Sequence, residues 1–481
     1  MRFCQICLLM LLSYKATAQM SIDSLKKEDL ISDFKIAVDI LKNNHPNPFK
    51  FISESKFNQQ VDSLEKELMV RNDIFGFISN FPTKLIKDVH LTSSLNTDLS
   101  EEIFKKLTYF PLPVFVEQGR MFVNIKNSPI PFSAEIIEIN GIPTTDILKR
   151  LSATVDGKNP TTDRVENFGL KMSINYGKMD RYSIQYIDPS SKNIKKIDLA
   201  AISPSKYYYN EQKQVLPFNL AQMYRSNIYG EFNSRLNTGV ITVNSFNLDE
   251  GYAYKEFSKF FKEANRRKCD RIIIDIRRNA GGNPSIAALL FSFIAREKSF
   301  SNLFKYKTKT IRLNNDRYRS DGNGRNLSDD DLQQEVNFFY QRFDKGSDAQ
   351  YVGNSRLMEG VVSDFPRDKN AFDGEILVLV GSETISAAVY SASWVQRSKS
   401  GIIIGKETSS GKDATTAAWF AMYELPKTKT LISIPRSEIY FFNADHDSGR
   451  GLMPDIEIPI DNFLDYVKKG VDPEMTFALE N

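Results

Sequence analysis

The order of strand and helix patterns predicts an α/β fold with a mostly parallel sheet. After residue 204, short apolar runs alternate with segments whose apolar residues recur at helical spacing. The runs at 239–243, 271–276 and 375–380 are rich in Val and Ile, as strands buried on both faces of a parallel sheet are. We therefore expect a layered α/β domain over residues 204–481, interrupted by a polar insertion at 300–370.

Two other patterns precede this domain and predict two smaller units. In residues 20–108, apolar positions such as Leu30, Phe34 and Leu41 recur at helical spacing, which predicts an N-terminal helical domain. Residues 109–203 consist of short alternating segments separated by turn residues. That pattern is typical of a small β-rich domain.

The first 19 residues have the pattern of a secretory signal. Arg2 is followed by the apolar run 6–12, and the small residues 16–18 precede Gln19. A membrane anchor is the alternative, but the run is too short to span a bilayer and Lys15 interrupts it. The sequence therefore predicts an exported protein, periplasmic or extracellular, whose mature chain begins near Gln19.

Composition excludes several classes of function. A formal net charge of +3 over 481 residues gives no argument for binding nucleic acid or a membrane surface. Cys269 is the only cysteine after residue 19, and no His and Cys cluster has metal-ligand spacing. The acidic run 329–331 follows Ser328 and indicates a helix start rather than a calcium loop. We expect no metal, no organic cofactor and no transmembrane span.

A glycine-containing turn follows the strand pattern at 271–276. Its two glycines, Gly281 and Gly282, permit backbone angles that expose amide donors, and Asn283 with Pro284 suits the cap and first position of a helix. Amides arranged in this way stabilise the oxygen of a tetrahedral intermediate. A phosphate cradle and a plain tight turn have the same local pattern.

Ser386 follows the strand pattern at 375–380 and is a candidate nucleophile. Two alanines come directly after it and leave its hydroxyl accessible. The amide of Ala387 would be a second oxyanion donor. The alternative is that Ser386 only caps the helix that begins here.

A serine hydroxyl needs a base to take its proton, and the sequence offers two candidates. His90 is one of only three histidines and lies between Asp88 and Thr92. Lys412 lies in a glycine-containing loop after the apolar run 401–404, and a lysine base would have to be neutral. Both candidates also have ordinary structural interpretations.

The motifs together resemble the tail-specific protease, or C-terminal processing peptidase, family, which includes relatives of the tricorn core protease and of the interphotoreceptor retinoid-binding protein. The stretches that carry the resemblance lie in the family's order at 88–92, 135–143, 275–282, 384–388 and 451–455. The resemblance implies a crotonase-like catalytic core, a PDZ-like domain over the β-rich residues and peptide-bond hydrolysis through an acyl-enzyme. It assigns the nucleophile to Ser386 and the oxyanion donors to Gly281 or Gly282 and Ala387.

The family has two solutions for the base, and the resemblance leaves both open. Its processing peptidases use a lysine, which would be Lys412, but 412 minus 386 gives 26, one residue more than usual, and Val389 replaces a common glutamate. Its tricorn-like branch uses a histidine, which would be His90. We favour His90 because an imidazole is near its working pKa without special burial.

The acidic residue that would orient His90 is left open by the sequence. The candidates by neighbourhood are Asp445 and Asp447, which flank His446, and Glu407 in the loop before Lys412. None of these acidic residues matches a family motif.

The predicted function is that of an exported serine peptidase acting on a peptide or unfolded-protein substrate. One alternative is a peptide-binding scaffold that kept the fold and lost efficient chemistry. Another is an acyl-CoA enzyme, since crotonase-like folds also bind thioester oxygens with glycine amides, but the signal pattern argues against it.

Overall fold

The structure is a computed structural model that describes residues 21–152, 155–157, 165, 167–217, 226–301, 304–347, 350–358, 364–442, 444 and 446–481. The predicted signal at 1–19 and the candidate orienter Asp445 lie outside the described residues.

The helices and strands are numbered here along the described chain. The α-helices are α1 Lys27–Asn44, α2 Glu54–Val70, α3 Ile74–Ser79, α4 Thr97–Lys106, α5 Thr144–Leu151, α6 Phe168–Tyr176, α7 Pro204–Glu211, α8 Glu250–Arg267, α9 Pro284–Ser292, α10 Asp329–Arg342, α11 Ser355–Met358, α12 Ala387–Ser398, α13 Ile460–Lys469 and α14 Pro473–Glu480. The strands are β1 Thr92–Ser94, β2 Val114–Glu117, β3 Arg120–Val123, β4 Glu135–Ile139, β5 Ile142–Pro143, β6 Arg181–Ile187, β7 Ile194–Ala200, β8 Ile228–Asn233, β9 Thr238–Val243, β10 Arg271–Asp275, β11 Ser299–Ser301, β12 Phe304–Thr308, β13 Arg319–Ser320, β14 Phe343–Lys345, β15 Tyr351–Gly353, β16 Asp364–Pro366, β17 Glu375–Val380, β18 Ile402–Gly405, β19 Ala414–Ala417, β20 Ala421–Glu424, β21 Leu431–Ile434 and β22 Ser437–Phe441. Short 3₁₀ helices lie at Ile22–Ser24, Pro82–Leu85 and Asp316–Tyr318.

A five-stranded sheet in the order β18-β17-β10-β9-β8 forms the centre of the residues after 204. Its strands are parallel except β8, which pairs antiparallel with β9. Ile272 and Ile274 of β10 pack in the core that contains helices α8, α9 and α12, whereas Ile273 packs in the cluster that contains Ala478 of α14. Because both faces are covered, the strands are apolar throughout, and the predicted parallel α/β layer is confirmed.

The first four helices pack into a core that also includes distant strands. Leu30, Phe34 and Leu41 lie on the buried face of α1, as their helical spacing predicts. The same core contains Tyr423 of β20 and Ile432 of β21. These helices are therefore joined to the part of the chain after residue 204 by shared apolar packing.

Residues 109–203 form a sheet in the order β2-β3-β4-β6-β7, with β5 paired to β4. Tyr182, Ile184 and Tyr186 of β6 point inward at every second position, which confirms the predicted alternation. Helices α5 and α6 contribute Leu148 and Met172 to this core.

The polar insertion is more ordered than its composition suggests. Its strands β14, β15 and β12 join β22 and β19 in a second five-stranded sheet. Helix α10 begins after Ser328, whose hydroxyl accepts a hydrogen bond from the amide of Asp331. The acidic run is thus a helix start, as the sequence predicts.

Ion pairs attach the last helix, α14, to the central sheet. The guanidinium of Arg277, directly after β10, lies 2.7 Å from carboxylate oxygens of Asp275 and Asp472 and 3.0 Å from Glu474. Phe463 of α13 contacts Phe115 of β2. In the described part of the chain, no helix combines the length and apolarity needed to cross a lipid bilayer.

Candidate active site

Side chains join the two motif turns at the carboxyl ends of β10 and β17. The Thr384 hydroxyl donates to the carbonyl of Ile276 at 2.9 Å, and the Ile385 amide donates to the carbonyl of Asn279 at 3.0 Å. The Asn279 side chain in turn donates to the carbonyl of Val243 at the end of β9. The two segments therefore meet at one edge of the sheet, where open α/β sheets place their sites.

Gly281 packs directly against Ser386. A Cβ atom added at Gly281 would lie 2.6 Å from the Cβ of Ser386 and 3.1 Å from the amide nitrogen of Ala387. Gly281 and Gly282 have φ values of +94° and +134°, which side chains other than hydrogen rarely permit. Glycine is thus required here both for the turn and for the approach to the serine.

The amide groups around Ser386 are not equally available. The Gly281 amide donates to the Asn279 side chain at 2.9 Å, which holds the turn in place. The amides of Gly282 and Ala387 make no hydrogen bond with any residue that the structure describes. The arrangement leaves Gly282 and Ala387, rather than Gly281, as the amides that face no partner.

Ser386 has a strained backbone at the N-terminus of α12. Its φ of 58° and ψ of −126° are unusual for a residue with a side chain. Its amide donates to the hydroxyl of Ser410 at 2.9 Å, so one of the two serines before Lys412 holds this conformation. The serine hydroxyl makes no hydrogen bond within the described part of the chain, and the positive end of the helix dipole lies beneath it.

His90 is largely buried beside β19. Its Nδ1 atom lies 3.3 Å from the hydroxyl of Thr415, and its Nε2 atom is buried without a partner among the described residues. Burial lowers the pKa of His90, and the nearby charge of Asp88 opposes that shift. A neutral imidazole with an unpaired Nε2 atom can accept a proton.

Three hydrogen bonds relate the surroundings of His90 to those of Ser386. Gly411, the residue after Ser410, donates its amide to Asp156 at 3.1 Å. The hydroxyl of Thr415 lies 2.7 Å from the same carboxylate oxygen and also contacts His90. Each candidate residue thus contacts the segment 410–415, Ser386 at Ser410 and His90 at Thr415, and no direct hydrogen bond joins the two.

Lys412 lies on this segment, and its backbone contacts α12. The carbonyl of Lys412 accepts a hydrogen bond from Ser393 at 3.4 Å. Ser393 is two turns after Ser386, which is roughly 10 Å along the helix axis. No hydrogen bond or ion pair joins the Lys412 ammonium group to a described residue.

The candidate acidic orienters have other partners. Glu407 pairs with both sides of the Arg450 guanidinium and accepts the amide of Gly451 at 3.0 Å. Asp447 lies 2.7 Å from the ammonium of Lys50. No contact between either carboxylate and His90 is present in the described residues.

Two residues near His90, Thr415 and Asp156, were not anticipated from the sequence. Neither lies in a motif, and Asp156 is separated from Thr415 by 259 positions. Asp88, which also lies near His90, is part of the motif at 88–92, and its carboxylate accepts the His90 amide at 2.7 Å. Among the described residues, no group of three or more His, Cys, Asp or Glu side chains is arranged to hold a metal ion.

A strained serine at a helix start, beside a glycine turn with unengaged amides, is a feature that serine hydrolases share. Comparison with known proteins gives the class. Residues 237–458 match the model of peptidase family S41. Over these residues the chain is thus similar to peptidase family S41, the family of C-terminal processing peptidases, and it is a serine-type peptidase.

Solved structures share the fold over nearly the whole chain. Mature CPAF is 12% identical, with a TM-score of 0.57, and the match covers 94% of this chain and 96% of that chain. Mature CPAF complexed with lactacystin is 13% identical, with a TM-score of 0.54, and the match covers 94% and 99% of the two chains. No curated protein sequence matches this chain.

Proposed function

We propose that this peptidase cleaves peptide bonds through an acyl-enzyme on Ser386, with His90 as the base. His90 Nε2 takes the hydroxyl proton as the Ser386 oxygen attacks the scissile carbonyl carbon. The amides of Gly282 and Ala387 stabilise the oxyanion. His90 then returns the proton to the leaving amine as the C–N bond breaks, and a water molecule activated by His90 releases the acyl product.

The observation that carries this proposal is the packing of Gly281 against Ser386. The 2.6 Å approach that a Cβ atom would make shows how closely the turn faces the serine. At that separation, the adjacent amides can reach the oxygen of a carbonyl carbon attacked by Ser386.

Two structural observations support His90 rather than Lys412 as the base. Its Nε2 atom has no hydrogen-bond partner among the described residues, so its lone pair is available to accept a proton. The carbonyl of Lys412, in contrast, accepts a hydrogen bond from Ser393, which lies two helical turns after Ser386.

The proposed setting is that of an exported enzyme with a crotonase-like core and a PDZ-like domain. The pattern of residues 1–19 supports export, and the parallel strand order around β10 and β17 supports the core assignment. The six strands within residues 109–203 support the PDZ-like assignment. The substrates would be peptides or unfolded segments that can reach Ser386 in extended form.

Labelling with a fluorophosphonate probe tests the nucleophile. We expect the purified protein to form one adduct on Ser386, located by peptide mass spectrometry, and to hydrolyse an unfolded protein substrate. Ser386→Ala should abolish the adduct and lower turnover by at least about 10³-fold, because no other group can form the acyl-enzyme.

Ser382→Ala is the matched control, since Ser382 lies in the same loop and should leave labelling unchanged. Lactacystin, which mature CPAF binds in a solved complex, is a second probe of the same hydroxyl. An unlabelled Ser386 in folded wild-type protein would contradict the proposal and favour a peptide-binding scaffold.

A further inference from the structure

Asp156 lies where three segments around the candidate site meet. One carboxylate oxygen accepts the amide of Val89 at 2.9 Å. The other accepts the amide of Gly411 at 3.1 Å and lies 2.7 Å from the Thr415 hydroxyl. The Asp156 amide donates to the carbonyl of Ser409. One buried side chain thus ties the His90 segment to the loop that contacts Ser386.

The direction of these hydrogen bonds determines the tautomer of His90. The Thr415 hydroxyl has one proton, and the Asp156 carboxylate at 2.7 Å is its nearest acceptor. Its oxygen is then an acceptor for His90 Nδ1 at 3.3 Å. With Asp156 ionised, the proton of the neutral imidazole is therefore on Nδ1, which leaves the lone pair of Nε2 free.

Asp88 is the competing candidate for this role, and the geometry disfavours it. Its nearer oxygen lies 3.9 Å from His90 Nδ1, which is too long for a hydrogen bond. That oxygen already accepts the His90 amide, and the other oxygen accepts from His45 at 2.8 Å. Asp88 therefore acts on the imidazole of His90 only through its charge.

Keeping Asp156 in this position has an energetic cost. Only 5% of the residue is exposed, and no Lys or Arg of the described residues pairs with it. Burial, together with the charge of Asp88, raises the pKa of Asp156 to about 7. A carboxylate placed this unfavourably is typical of a functional site.

We propose that Asp156 and Thr415 are positioning residues of the peptidase site, which hold His90 in the tautomer that can deprotonate Ser386. The assignment rests on the proposed role of His90 as base. It gives the site an acidic orienter supplied by the segment between α5 and α6, and not by the residues around His446.

The kinetic test uses Asp156→Asn and Thr415→Val, which remove the charge and the hydroxyl with little change in shape. We expect each to lower kcat by about 10²- to 10⁴-fold with KM within about threefold, because the wrong tautomer cannot accept the serine proton. Thr415→Ser keeps the hydroxyl and should retain kcat within about fivefold.

Thr428→Val is a matched control. Thr428 donates to the buried Asp33 at 2.8 Å, and that carboxylate also accepts backbone amides, as Asp156 does. The Thr428–Asp33 pair lies in the core shared with the first helices, so the variant should lose stability and leave kcat unchanged. An equal loss of kcat in Thr428→Val and Thr415→Val would overturn the proposal.

Nitrogen-15 NMR of the imidazoles supplies a readout that does not depend on turnover. The chain has three histidines, and His90→Gln identifies the signals of His90. At pH 8.5 we expect the wild type to have its proton on Nδ1, and Thr415→Val and Asp156→Asn to shift toward the Nε2 tautomer. A wild-type proton on Nε2, or a tautomer unaffected by both substitutions, overturns the proposal.

The two proposals fail differently. Turnover that survives His90→Gln would overturn the proposed base, and the positioning role with it, even where the tautomer depends on Asp156. If turnover requires His90 but the tautomer of His90 is unchanged in Asp156→Asn and Thr415→Val, the proposed role of His90 as base stands and only the positioning role is overturned.

Discussion

At the scale of single residues, the candidate site departs from ordinary backbone preferences at two positions in contact. Ser386 has a positive φ although it is not glycine, and Gly281 occupies a position where any side chain would collide with it. Strain of this kind persists only when surrounding contacts enforce it. Here the hydrogen bonds of Thr384, Asn279 and Ser410 hold the two turns against each other.

Gly281→Ala tests how closely the turn must approach the serine. The new methyl group would collide with Ser386, so we expect kcat/KM to fall by at least about 10²-fold. Gly177→Ala is the matched control, because Gly177 has a φ of +92° and nothing within 4 Å of an added Cβ. Both variants should lower the Tm, but a loss of activity in Gly177→Ala as well would show that backbone strain, not the collision, is responsible.

The two shifted pKa values predict the acid limb of the pH profile. His90 must be neutral to act, and its pKa is lowered by burial, so it remains a base below pH 6.5. Asp156 must be charged to hold His90 in the required tautomer through Thr415, and the pKa of Asp156 is raised to about 7. Of the groups that face them, Asp88 has a lowered pKa and stays ionised, paired with His45. We therefore expect kcat/KM to rise with pH through about 7.

In Asp156→Asn the residual activity should depend on the protonation of His90 alone, so the acid limb of its pH profile should lie at lower pH than in the wild type.

The stability of the wild type should fall, not rise, with pH over this range. A raised carboxyl pKa means that the folded state binds the proton more tightly than the unfolded state. The free energy of unfolding therefore loses this contribution as pH rises from about 4 to about 7. A wild-type profile with its acid limb in the alkaline range would instead indicate a lysine base.

The candidate nucleophile and the glycine turn beside it could be located from the sequence because each lies at a fixed offset from a strand. Ser386 and Gly281 follow β17 and β10, and parallel neighbours bring those ends together. Asp156 could not be found in this way, since it follows no strand and its partners are distant in the sequence. Hydrogen bonds between remote segments leave no local pattern.

At the scale of elements, strands buried on both faces were the most predictable part of the fold. Apolar composition identified β9, β10 and β17 to within one residue at each end, because nothing but burial determines their sequence. The insertion was less predictable. Most residues of strands β14 and β15 are exposed or partly exposed, so their composition resembles that of a loop. These strands belong to the sheet because β15 pairs with β12 and β14 pairs with β15.

Arg277 joins two elements, and its removal should show how strongly they depend on each other. Arg277→Met would leave the carboxylates of Asp275, Asp472 and Glu474 buried without a cation. We expect a loss of about 3 to 5 kcal/mol in the free energy of unfolding, measured by urea denaturation at neutral pH.

Arg266→Met is the control, because Arg266 is an exposed residue of α8 paired with Glu263 on the same helix. Its urea midpoint should match that of the wild type. If Arg277→Met is as stable as the wild type, the three carboxylates do not need this guanidinium to balance their charge, and α14 is held by its apolar contacts alone.

At the scale of the whole molecule, the candidate site is assembled from three regions far apart in the sequence. His90 follows α3, Asp156 follows α5, and Ser386 directly precedes α12. Shared packing fixes the first region to the catalytic half through Tyr423 and Ile432, and Lys406 pairs with Glu117 of the β-rich sheet. The order of patterns along the sequence predicted the three units, but not these contacts between them.

The position of Thr415 late in the chain has a consequence for biosynthesis. Under the proposed mechanism, a growing polypeptide has no competent base until β19 has been made and has paired with β22, because only then does the threonine reach the histidine. Truncated or half-folded copies would be inert toward their neighbours. The architecture itself would delay hydrolytic capacity until folding is complete.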